Sequence, residues 1–406
     1  MMVRERVDIS RSEDVNLGGI AGVLHFCPIY SGMRVFFLYP KGTHLPSEYK
    51  GEIIMKTKIA NKLAAVGCTL ALAFTTVACG GTPVANEAET GSIQTGAESS
   101  QVEKETEASY KVAIVKQLDH ASLDEIATAV EAELTALAEE KGITITCDVY
   151  SGQNDQSTLM QIGDQLIAEE VDAIIPIATL AAQVMASCAA DSQTPVVFAA
   201  ISDPETAELT GIDYVTGTSD ALNTAFILDM MFAENPETDK VGLLYSLSEA
   251  NSTTPIAEAK AYLDTKGIAY EEQTAGTNDE VIAAASALIA SGVDAIFTPT
   301  DNVIMAAELA IYEDLAEAGI RHYTGADSFV RNGAFATCGV NYTELGTKTA
   351  DLAYEAITEG MANMEDYYLM DGGIITVNTE TAEALSADYS AFADMGQLVE
   401  VQTTLE

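Results

Sequence analysis

Six short stretches of this sequence gather hydroxyls, carboxylates and amides beside small residues. They are Lys116-Gln117-Leu118-Asp119-His120, Ala178-Thr179-Leu180-Ala181-Ala182-Gln183, Ile201-Ser202-Asp203-Pro204, Ser246-Leu247-Ser248-Glu249-Ala250-Asn251-Ser252, Thr298-Pro299-Thr300-Asp301-Asn302 and Gly325-Ala326-Asp327-Ser328. No GxSxG elbow, GxGxxG loop, P-loop or HExxH occurs, and no cysteine has a nearby basic partner, so no nucleophilic or phosphate-cradling chemistry is marked. Cys27, Cys68, Cys79, Cys147, Cys188 and Cys338 form no CxxC pair and no metal-ligand spacing with the four histidines, so neither a metal nor a cofactor is expected. What remains is binding: amide donors at helix N-termini suit a carboxylate and acidic side chains suit an ammonium, together a zwitterion.

Each stretch also has a structural reading. Ser248 and Asn251, or Thr300 and Asp301, are typical helix caps, and His120 precedes Ser122 and Glu125 in a capping-box pattern. Asp203-Pro204 forms turns readily. Asp327, just past a strand end with small neighbours, is the least easily explained as a cap.

The elements that must carry these loops alternate. Tyr110–Val115 is a short apolar strand, followed by Leu123, Ile126, Ala127, Val130, Leu134 and Leu137 at helical spacing. Strands at 144–150, 173–177 and 195–199 follow, with helices near 157–170 and from about 180. A second series opens at Lys240–Tyr245 and continues with a helix at 251–266, a strand at 269–273, a helix at 279–291 and a strand at 295–299. Asn154-Asp155 precedes Val171-Asp172-Ala173 much as Asn278-Asp279 precedes Val293-Asp294-Ala295, and Lys111-Val112 and Lys240-Val241 open the two series. The expectation is a duplicated α/β protein: two doubly wound parallel-sheet lobes joined by hinge crossovers, with ligands beyond the carboxyl ends of the strands. The lobes are 110–219 plus about 339–360, and 220–338 plus about 361–406, with crossovers near Gly217–Asp220, Gly339–Tyr342 and Gly360.

A net charge of −43 over 406 residues repels phosphate backbones and removes nucleic acid from the partners. From Met55 the chain is basic to Lys62 and apolar from Leu63 to Val77, then reads Thr76-Val77-Ala78-Cys79, a secretory signal layout over 55–78. Cys79 resembles the acylated cysteine of a bacterial lipobox, although Thr76 replaces the usual aliphatic residue. Residues 79–109 are Gly, Ser, Thr, Ala and Glu with few large apolar groups, a disordered acidic tether. Residues 1–54 precede the signal and are read as translated leader RNA: Lys50-Gly51-Glu52 is encodable as a ribosome-binding AAA-GGA-GAA about eight nucleotides before the Met55 codon.

From Tyr110 to the C-terminus the chain resembles the ABC-type substrate-binding proteins that include tryptophan- and tyrosine-associated receptors with the type I periplasmic-binding fold. The resemblance is carried by Ser248-Glu249-Ala250-Asn251-Ser252, Pro299-Thr300-Asp301-Asn302, Ala178-Thr179 with Ala181-Ala182-Gln183, and Pro195–Phe198 leading to Asp203-Pro204. Leu180 departs from a usual proline, and His120-Ala-Ser-Leu-Asp124 from His-Pro-Ala-Leu-Asp. The resemblance implies a monomeric receptor, not an enzyme, that closes on an amino acid, often aromatic, and hands it to an ABC permease driven by a cytoplasmic ATPase subunit. By position, Thr179 and the amides of Ala181 and Ala182 would receive the carboxylate, with Asn251 and Ser252 closing from the other lobe. Asp301 or Asp327 would hold the ammonium, and Gln117 and His120 would line the side-chain end. A nucleoside-binding lipoprotein of similar fold is the alternative, ahead of an exported α/β enzyme. A sugar-responsive repressor core is disfavoured by the export signal, the acidity and the lack of a preceding helix-turn-helix.

If Cys79 is the acylated first residue, the protein will partition into detergent and stay with the outer face of the cytoplasmic membrane, and Cys79→Ala will release it. Fractionation with mass spectrometry of the N-terminus checks this; an unmodified, water-soluble N-terminus would overturn it.

Overall fold

The computed structural model describes residues 108–404 and, nearer the N-terminus, the backbone of three strands. These strands, β1 (Arg11–Leu17), β2 (Ile20–Pro28) and β3 (Arg34–Pro40), pair antiparallel in that order. The expected signal segment, Cys79 and the tether up to residue 107 lie outside the described residues.

In β4 (Ser109–Lys116), Val112 and Ile114 pack into one apolar layer and Ala113 and Val115 into another. Burial on alternate sides is what a strand covered by helices on both faces requires. The first layer contains Leu123, Ile126, Val130 and Leu134 of α1 (Ala121–Lys141), which stops at Gly142 in the left-handed conformation. β5 (Thr144–Ser151) follows, then α2 (Gln156–Ala168), β6 (Ala173–Ile177), α3 (Thr179–Cys188), β7 (Val196–Phe198) and β8 (Val215–Ser219). Leu159 and Leu166 of α2 and Met185 of α3 fill the second layer.

The chain then crosses to the second lobe. It forms α4 (Thr224–Glu234), β9 (Lys240–Tyr245), α5 (Thr253–Lys266), β10 (Ala269–Thr274), α6 (Asn278–Ser291) and β11 (Ala295–Thr298). Next come α7 (Asn302–Met305), α8 (Tyr312–Glu317), β12 (Arg321–Thr324), α9 (Asp327–Arg331) and β13 (Ala336–Gly339). It returns to the first lobe as α10 (Tyr342–Thr358) and β14 (Tyr368–Leu369), and crosses a third time to β15 (Ile374–Asn378), α11 (Thr379–Leu385) and β16 (Gln397–Val401).

The first sheet runs β14-β8-β7-β6-β4-β5, all parallel, and the second runs β10-β9-β11-β12-β13-β15-β16. In both lobes the first five strands therefore take the order second-first-third-fourth-fifth, as duplication requires. The repeated Asp has one job in both: Asp172 Oδ2 accepts from the Lys111 amide at 2.7 Å, and Asp294 Oδ2 from the Lys240 amide at 3.0 Å. Each locks the first strand of its lobe to the start of the third.

Three features differ from the sequence expectation. The second sheet is mixed, because β15 enters antiparallel to β13 after the return through the first lobe. Gly217 sits inside β8, so the first crossover lies at 220–223. Gly360 only closes α10 with a φ of 84°, and the third crossover comes at 370–373 because β14 still pairs with β8.

α10 packs along α1, and Gly346 permits the approach: a Cβ there would stand 2.6 Å from Ala129 Cβ and 2.7 Å from the Ile126 carbonyl oxygen. Gly346→Val should lower stability by about 1–3 kcal/mol through overpacking. Urea unfolding checks it, and an unchanged midpoint would show that the two helices are not held this closely.

Candidate functional site

Loops at the carboxyl ends of β4, β6, β7 and β8 meet loops at the carboxyl ends of β9, β11 and β12 around a narrow cavity. This is where a doubly wound sheet presents helix N-termini and strand-end side chains to a ligand. Leu123 and Ile126 of α1, Met305 of α7 and Phe329 of α9 supply apolar wall. The backbone is strained where it lines the cavity: Ala178 has φ 75° and ψ 162°, and Ala200 has φ 57°. Such conformations cost a residue with a Cβ about 1–3 kcal/mol and collect at functional sites. Gly325 is needed behind it, since a Cβ there would lie 2.5 Å from the Thr300 amide.

Asp220, on the first crossover, lines this space with a buried carboxyl. Ser202 Oγ donates to its Oδ1 at 2.9 Å and Tyr342 Oη donates to its Oδ2 at 3.0 Å. The one proton of Ser202 is thereby committed, so in its 2.9 Å contact with Thr300 the Thr300 hydroxyl donates, across the lobes. Among the described residues no cation pairs with Asp220, and burial pushes its pKa above the usual carboxylate value against the pull of the two hydroxyls. Asn251 donates from Nδ2 to the Thr300 carbonyl at 2.6 Å, while its buried Oδ1 has no partner. His120 touches Asn302 Oδ1 through Nε2 at 3.0 Å, and its buried Nδ1 has no partner. Burial lowers the His120 pKa, which keeps the ring neutral.

Of the residues expected from sequence, His120, Thr179, Asn251, Thr300 and Asp301 line the cavity. Asp301 nevertheless has no capacity left for an ammonium. It caps α7, accepting from Val303 and Ile304 amides at 3.1 Å, and also accepts from the Ser246 amide and Ser252 Oγ at 2.7 Å. Ser252 is thus its buried partner and not a ligand contact. Asp327 opens α9 next to the lining residue Ala326 but is not itself in the lining; its Oδ2 pairs with Arg331 at the other end of the helix, and its buried Oδ1 has no partner. Ala181 and Ala182 lie in the first lobe's core, and the Ala182 amide already bonds the Ala178 carbonyl. Ser248 is exposed and pairs with Ser246. Asp203 holds a turn through Thr206 and reaches Thr254 of the other lobe at 2.8 Å.

Gln117 is also not in the lining; it is a clasp. Its Oε1 accepts from the Leu180 amide at 3.0 Å, and its Nε2 donates to Asn154 at 2.9 Å and across the lobes to Glu249 Oε1 at 2.8 Å. Ser202 stood in a candidate loop and Asp220 and Tyr342 at expected crossovers, but none of the three was assigned to the site from sequence. Asp220 directly follows β8, and its position becomes a signal only once that strand is known.

A hydroxyl, imidazole and carboxylate do align elsewhere: Thr298 Oγ1 lies 2.9 Å from His322 Nε2, and His322 Nδ1 lies 3.0 Å from Glu308. All three are at most 3% exposed and none lines the cavity, so this row is core structure and offers no substrate access. No group of three or more His, Cys, Asp or Glu among the described residues is placed to hold a metal ion.

Residues 111–390 match the family described as ABC transporter substrate binding protein. A curated tyrosine-binding protein of Clostridioides difficile is 28% identical over 297 residues, covering 71% of this chain and 85% of that one. Among solved structures, an ABC domain from Streptococcus pneumoniae in complex with L-Trp matches with a TM-score of 0.65 and 27% identity, over 72% of this chain and all of that one. A ligand-free, open substrate binding protein with adhesive properties from Clostridium difficile matches with a TM-score of 0.55 and 26% identity, over 73% of this chain and all of that one. At nearly equal identity and coverage, the TM-score is higher with the L-Trp complex than with the open structure.

Glu249 is buried in the interlobe clasp, and burial together with the Asp301 charge raises its pKa from 4.5 to about 7. A carboxyl raised in this way contributes stability that is fully present below about 4.5 and is lost as pH rises through about 7. Glu249→Gln should therefore flatten the fall in melting temperature between pH 5 and 8 (roughly the span of that titration). Thermal unfolding across the range tests it, and parallel wild-type and variant curves would refute the assignment.

Proposed function

Because the chain belongs to the ABC transporter substrate binding proteins, we propose that its cavity closes on an amino acid taken as a zwitterion, with an aromatic side chain. Asp220 carries the argument. A carboxylate buried without a cation is unstable by several kcal/mol, and a ligand ammonium is the group that completes it. Asn251 Oδ1 offers the ammonium a second acceptor. The carboxylate of the ligand is received at the N-terminus of α3 by Thr179, whose backbone step is set by the strained Ala178. Leu123, Ile126, Met305 and Phe329 suit an apolar ring. The tyrosine-binding relative and the structure holding L-Trp support the same class.

The protein performs no chemistry on its ligand. Contacts from both lobes favour the closed state, and an ABC permease with its ATPase subunit takes the solute from that state. Family membership places this work outside the cytoplasm. The signal layout ending at Cys79 supports a lipid anchor, with 79–109 as its tether.

Isothermal titration with tyrosine and tryptophan tests the reading. Asp220→Asn, which keeps the shape and removes the charge, should weaken binding by about 2–5 kcal/mol, while Asp327→Ala should change it little. Full affinity in Asp220→Asn would sink the assignment of the ammonium site. A response to nucleosides alone would replace the amino acid as the ligand.

A further inference from the structure

One ring nitrogen in the cavity has its protonation state dictated by a hydrogen-bond chain that begins at a backbone amide. The Leu180 amide can only donate, so Gln117 presents Oε1 to it and must turn Nε2 toward Glu249. Once ionised, above about pH 7, Glu249 accepts at Oε1, and at Oε2 it accepts from Asn302 Nδ2 at 2.7 Å. Asn302 is thereby oriented with Oδ1 toward His120 Nε2 at 3.0 Å, and because that oxygen can only accept, Nε2 carries the proton. In a neutral ring Nδ1 is then a bare lone pair, and this atom is buried without a partner on a residue that lines the cavity. Burial holds the ring neutral, so Nδ1 does not acquire a proton of its own.

The acceptor stands apart from the Asp220 group. The lining includes the N-cap His120 and, on α1, Ser122, Leu123 and Ile126, and next to Ile126 the Glu125 carboxylate accepts from Thr343, the neighbour of Tyr342 that donates to Asp220. From Ala121, next to His120, five helical steps lead to Ile126, about 7.5 Å at 1.5 Å per residue. Leu123 lies one turn from His120 and Met305 one turn from Asn302, so apolar wall adjoins the His120–Asn302 pair on both helices.

We propose that His120 Nδ1, fixed as an acceptor by the Gln117–Glu249–Asn302 chain, reads a hydrogen-bond donor at the far end of the ligand's aromatic side chain, the phenol of tyrosine or the indole N–H of tryptophan. This rests on the amino-acid reading of the cavity. A buried acceptor left unpaired penalises a ligand lacking the donor, so phenylalanine is disfavoured against tyrosine and tryptophan.

The test is calorimetric titration of the full-length protein with two matched pairs: tyrosine against para-fluorophenylalanine, and tryptophan against its N-methylindole analogue. The donor-bearing member of at least one pair should bind about tenfold or more tightly, and His120→Leu should abolish that ratio while still binding both members. Asn302→Leu, which frees the tautomer, should shrink the ratio while leaving His120 in place. Equal affinity within both wild-type pairs overturns the proposal, as does an unchanged ratio in His120→Leu. If the wild type binds none of the four, the amino-acid reading itself has failed, an outcome distinct from binding without discrimination.

Discussion

Asp220 is taken out of water between two hydroxyls and given no positive charge, and the closed cleft is organised round that deficit. Ser202 and Tyr342 satisfy lone pairs but cannot balance a charge, so the closed, empty cavity favours a protonated carboxyl or an opened cleft. A ligand bearing an ammonium changes this balance. It makes ionisation favourable where it was costly, and it does so only when both lobes are in place, because Ser202 is itself held by Thr300 of the second lobe. Closure and cation binding are thereby linked without any dedicated signal-carrying part.

The cavity region holds three buried acids, and the number of donors around each separates their roles. Asp301 receives four hydrogen bonds, two of them from the first turn of α7, and so is a capping group that shapes the loop. Glu249 receives two amide donors, one from each lobe, and fastens the cleft. Asp220 receives two hydroxyls and faces open space. Burial is the largest cause raising the pKa of all three carboxyls, so a raised pKa does not distinguish them. Unfilled capacity facing the cavity does.

The fold was legible because its signals are local and repeated. Val112, Ile114 and their counterparts Val241 and Leu243 alternate as covered strands must, and Asp172 and Asp294 recur because each ties the third strand to the first. β8 was illegible: Val-Thr-Gly-Thr-Ser reads as a polar linker, yet all five residues are buried, with Thr218 bonded to Thr349 of α10 at 2.7 Å. Only tertiary packing makes those hydroxyls core residues, and missing the strand meant missing Asp220 at its end. Asp301 was misread for the opposite reason. Its cap geometry was visible in the sequence, but nothing there shows that Ser246 and Ser252 would use its remaining lone pairs.

The contacts that join the lobes are individually modest. Gln117 with Glu249, His120 with Asn302, Ser202 with Thr300 and Thr254 with Asp203 are neutral or singly charged hydrogen bonds, each worth about 0.5–3 kcal/mol net because water replaces them when the cleft opens. Against them stands the burial of Glu249 and Asp220, which opening relieves. Terms of similar size and opposite sign leave the two states close in free energy, which is the condition under which a small ligand decides between them. A receptor with a stronger clasp would close empty and occupy its permease without cargo. With Asp220 properly paired inside the protein it would have nothing left to offer an ammonium.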